Sequence, residues 1–76
     1  MKKEAGMVSD SIKKRALYYG SEKEANPDIP IGEYREDLAM CLGKERWIDL
    51  DEDTRLALTN EFERGRLAER KATCNI

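Results

Sequence analysis

Apolar residues recur at helical spacing in three stretches of this chain, and polar or glycine-containing connectors separate them. At 100° per residue, Val8, Ile12, Ala16 and Tyr19 form one stripe, with Leu17 and Tyr18 to its sides. This predicts a first helix over about 9–19, capped by Ser9 or Ser11 and closed by Gly20 as a left-handed C′ residue. Lys13, Lys14 and Arg15 fall in its C-terminal half, where cations suit the helix dipole. The next four residues, "SEKE", have the capping-box pattern of a further short turn.

Pro27 and Pro30 then remove two backbone donors and push Asn26 and Ile29 toward extended geometry. The segment 26–32 is therefore expected to be an irregular connector, pinned to the core by Ile29 and Ile31. Tyr34, Leu38, Cys41 and Leu42 share a face of a second helix over about 33–42, with Glu33, Glu36 and Asp37 in its N-terminal half. Continuation to Ile48 would keep heptad spacing. Gly43 inside that extension, and Glu45 on its apolar stripe, favour a stop at Gly43.

The third helix, about 52–71, is the longest. Ala57, Leu58, Phe62, Gly65, Ala68 and Ala72 fall on one broad face, while Leu56, Leu67 and Cys74 lie nearly opposite. Gly65 costs about 1 kcal/mol against alanine, which is acceptable where another backbone approaches closely. Asp49, Asp51 and Asp53 around its start resemble the first half of a calcium loop. Thr54 stands where that loop needs glycine, however, and Asn60 where it needs glutamate. Asp49 or Asp51 as the cap, with Glu52 and Asp53 in the first turn, accounts for more of the residues. The reading is an all-α fold, a small bundle of three main helices with a proline-containing connector between the first and second. Residues 1–8 form a flexible start, 9–72 a single helical domain and 73–76 a tail.

Composition narrows the function. The 76 residues contain no histidine, which removes the commonest general base and metal ligand. Cys41 and Cys74 cannot assemble a four-ligand zinc site, and no phosphate loop is present. With no catalytic set, cofactor or metal site to be drawn from these residues, a non-enzyme is expected. No apolar run reaches the roughly 18 residues of a membrane span and no export signal is visible, so a cytoplasmic protein with reduced cysteines is the default.

The net charge of −2 is segregated: five basic and two acidic residues over 1–20, four and eleven over 21–54, five and three over 55–76. Neither basic end is concentrated enough for ordinary duplex binding. Arg55, Arg66 and Arg70 edge the seam of Leu56 and Leu67, a composition suited to interface anchors. These five residues, with Trp47, are the candidate partner-binding set. The function they point to is a small accessory protein (adaptor, modulator or inhibitor) that binds a larger protein through a helix face. The alternative is a nucleic-acid-binding regulator using Arg55, Arg66, Arg70 and Lys71 on phosphates. The Leu56–Leu67 stripe is expected to be a homodimer surface unless Trp47 and Ile48 fold back over it.

Two local resemblances point the same way. "IPIGEYRED" followed by "EFERGRLAER" resembles the theta subunit of bacterial DNA polymerase III, a small three-helix protein that docks on the proofreading subunit. "FERGRLAERKATC" is similar to the glycine-and-alanine run ending in cysteine of ribosome modulation factor. Each covers under half of the chain and departs from its family at several positions. Both imply an accessory role.

Overall fold

In the computed structural model, residues 8–74 are described, with side chains through Ala72. Among the described residues three α-helices follow one another: α1 (Asp10–Ala25), α2 (Ile31–Cys41) and α3 (Glu52–Cys74), with one 3-10 turn, Trp47–Asp49, before the last. The described residues contain no strand. The expected start at 1–7 lies outside the described residues. Val8, counted with that start but also placed on the first helix's stripe, is buried in the core.

Ser9 caps α1, its hydroxyl accepting from the Ile12 amide at 3.4 Å. The helix does not stop at Tyr19. It runs through Gly20 and absorbs "SEKE", ending where Asn26 turns its amide back to the Glu22 carbonyl and Pro27 forbids another turn. Gly20 is buried against the Phe62 backbone of α3, so the residue expected to end the helix is instead the notch in its packed face. The proline connector is short, 26–30, and Pro30 is the N-cap of α2. The stop expected at Gly43 is found there: the glycine follows the end of α2 at φ +81°, in the left-handed region.

Asp51 begins α3. Its carboxylate accepts from both the amide and the hydroxyl of Thr54, and its carbonyl accepts the first helical bond, from Arg55 at 3.0 Å. The Thr54 hydroxyl, more than any other group, holds the Asp51 carboxyl below the usual carboxylate range.

Cross-helix pairings define the direction of each element. Cys41 meets Arg15 and Asp37 meets Tyr19, so α2 runs antiparallel to α1. Gly20 meets Phe62, Ser21 meets Glu69 and Glu24 meets Arg70, so α3 runs parallel to α1. Gly65 in turn lies against the backbone of Leu17 and Ser21, the close approach that its cost within a helix required. Ala16, Leu38, Ala39, Leu50 and Leu58 fill the centre, joined by Val8. Tyr19, Tyr34 and Phe62 pack as tilted rings across the three helices, with centroids 5.1 and 5.7 Å apart. Burial, with the hydrogen bond to Asp37, pushes the Tyr19 phenol up to about 12.

Candidate functional site

Three sides of α3 have different neighbours. Thr54, Leu58, Phe62 and Gly65 are buried and face the other helices. Of the alanines expected on that face, Ala57 is only half-buried at its margin, and Ala68 and Ala72 are exposed. The stripe drifts instead to Glu69, which is half-buried and accepts from the Ser21 hydroxyl of α1 at 2.8 Å. Periodicity alone favoured the alanines because it could not register a polar contact at the end of α1.

The opposite side carries Leu56 and Leu67, 58% and 54% exposed. Nothing in the described chain folds over them. Trp47 turns the other way, packing against the core beside Ile31, Leu38 and Phe62, with the Arg35 guanidinium 5.5 Å from its ring centroid. Ile48 stays 65% exposed. The intrachain covering weighed above is therefore not the one adopted, and Trp47 is not brought together with the two leucines.

The arginines separate as well. Arg66 and Arg70 converge on one carboxylate of α1: Arg66 Nε lies 3.2 Å from Glu24 Oε1, and Arg70 Nε lies 3.0 Å from Oε2. Arg70 adds a second bond, Nη2 to Oε1 at 3.3 Å, and Arg66 also reaches Glu63 at 3.5 Å. Arg70 first, then Arg66, keeps the Glu24 carboxyl below its ordinary range. Arg55 is half-buried near Asp51, whose ionised form its charge favours. Beside Leu67, the exposed residues Arg64, Ala68 and Lys71 line a shallow groove with Arg70. The glutamate clamp escaped sequence reasoning because Glu24 lies 42 and 46 residues from its two partners.

Cys41 is a free, half-buried thiol accepting from Arg15 Nη1 at 3.0 Å. Among the described residues no group of three or more acidic or cysteine side chains is placed to hold a metal, and no helix is long and apolar enough to cross a membrane. Compared with protein-family models, curated proteins and solved structures, the chain matches none.

Proposed function

We propose that this chain is a small, non-catalytic accessory protein of the cytoplasm, an adaptor, modulator or inhibitor, that binds a larger protein through the outer face of α3. One observation carries the reading: Leu56 and Leu67 are both more than half exposed on one long helix whose other side is packed into the core. Covering the exposed part of each leucine is worth about 1 kcal/mol, and a preformed helix loses little conformational freedom on docking. Charged and polar residues flank the leucines, as the rim of an interface requires.

The nucleic-acid alternative draws less support. Arg66 and Arg70, two of its four cations, share the Glu24 carboxylate, and a phosphate would have to compete with that carboxylate for them. Affinity capture from host lysate, with and without nuclease, tests both readings when wild type is compared with Leu67→Glu. A partner retained after nuclease and at moderate salt, but lost with Leu67→Glu, supports the docking face. Capture that survives Leu67→Glu and falls steeply with salt overturns it in favour of phosphate contacts.

A further inference from the structure

The outer face of α3 has a charge pattern that is complementary to itself. Asp53 and Lys71 are eighteen residues apart, five full turns, and so project from the same side of the helix. Leu56 and Leu67 project within about 20° of one another along one edge of that side, and Ala57 and Ala68 within about 20° along the other. All three pairs are centred close to residue 62. A twofold axis perpendicular to two antiparallel helices brings each residue onto the one equally far beyond the centre on the same edge.

We propose that a second copy of this chain covers this face, its α3 antiparallel to the first, with Leu56 against the partner's Leu67 and Asp53 beside the partner's Lys71. The inference rests on the outer face being a protein-binding surface. It adds the identity and direction of one occupant, which a larger partner must displace. The small side chains of Ala57 and Ala68 let the two helices approach along the second edge. Charge selects the direction. A parallel pair would set Asp53 on Asp53 and Lys71 on Lys71, whereas the antiparallel pair matches each carboxylate with an ammonium. Neither Asp53 nor Lys71 takes part in an ion pair among the described residues. Arg64, near the axis, already has its charge met by Glu61 at 3.4 Å and faces the partner's Asn60, whose amide oxygen can accept from it.

Sedimentation of the full chain from about 1 to 200 μM tests the association, with circular dichroism confirming that each variant is folded. Wild type is expected to pass from monomer to dimer over this range, and Leu67→Glu to weaken the dimer at least about tenfold. Asp53→Lys, which sets one ammonium against another across the interface, is expected to weaken it about threefold or more, and adding Lys71→Asp to restore it. A wild type that stays monomeric throughout, or a double variant that dimerises no better than Asp53→Lys, overturns the proposal. Should Asp53→Lys fail to fold, Leu67→Glu decides alone: a dimer it leaves intact overturns the proposal. Lysate capture separates this inference from the reading beneath it. A monomeric wild type whose captured partner is lost with Leu67→Glu removes the dimer but keeps the docking face. A dimer broken by Leu67→Glu, with capture unchanged, keeps the dimer and removes the docking of the larger protein.

Discussion

A methyl group added to Gly20 would sit 1.8 Å from the Phe62 carbonyl oxygen, and one added to Gly65 would sit 1.9 Å from that of Leu17. Both glycines belong to helix interiors, where alanine is intrinsically better by about 1 kcal/mol. Contact decides against propensity here, because the obstructing atoms are backbone and one helix must move away from the other. Gly20→Ala and Gly65→Ala are each expected to cost about 2 kcal/mol or more, seen as a fall of about 10 °C or more in Tm. Gly32, in the first turn of α2, has nothing within 4 Å of an added Cβ. Gly32→Ala is therefore expected to raise Tm by a few degrees. If all three substitutions move Tm the same way, close packing is not what selects glycine at 20 and 65. Sequence alone fits Gly20 equally well to a helix stop and to a helix crossing. What separates the two is Phe62, a residue of another helix.

At the scale of the element, local chemistry was legible at the ends that Pro30, Gly43 and Asp51 mark. Pro30, Gly43 and Asp51 each act within a few residues of their place in the chain, and each boundary they mark was foreseen within two residues. The outward pair Leu56 and Leu67 was legible too, since angular position on a long helix needs only the sequence. Illegible were the true length of α1 and the use of Arg66 and Arg70, both of which depend on contacts with a distant helix. The aspartate series is the sharpest test at this scale. Asp51 has both carboxylate oxygens on Thr54, so its function is to start α3. Asp51→Ala should lower Tm by about 5 °C, as loss of an N-cap does, while Asp51→Asn or Asp51→Ser should recover most of the loss. Millimolar calcium should leave the wild-type Tm unchanged. A calcium-dependent rise abolished by Asp51→Ala would identify a metal loop instead.

For the whole molecule, the question is what keeps α1 and α3 aligned beyond the core. Their contact passes through two glycines, which allow approach but supply no side chain to fix the register. Two polar links lie further along: Ser21 to Glu69, and Glu24 to Arg66 and Arg70. The glutamate link makes stability depend on pH in a definite direction. Because the folded state holds the Glu24 carboxyl lower than an unfolded chain would, the link stabilises fully above the unfolded value of about 4.3. That contribution disappears as pH falls through the depressed folded value, when the carboxylate gains its proton in both states. Its size is modest, since Arg70 is 53% exposed and water and salt screen the pair. Wild type should therefore melt a few degrees above Glu24→Gln at pH 7, with the gap narrowing in about 1 M salt. Once pH falls well below the ordinary carboxylate range, the two melting curves should converge. A gap of constant size from pH 7 to pH 2 would mean that Glu24 contributes through packing alone, and the clamp would then have no part in aligning the helix that carries the exposed leucines.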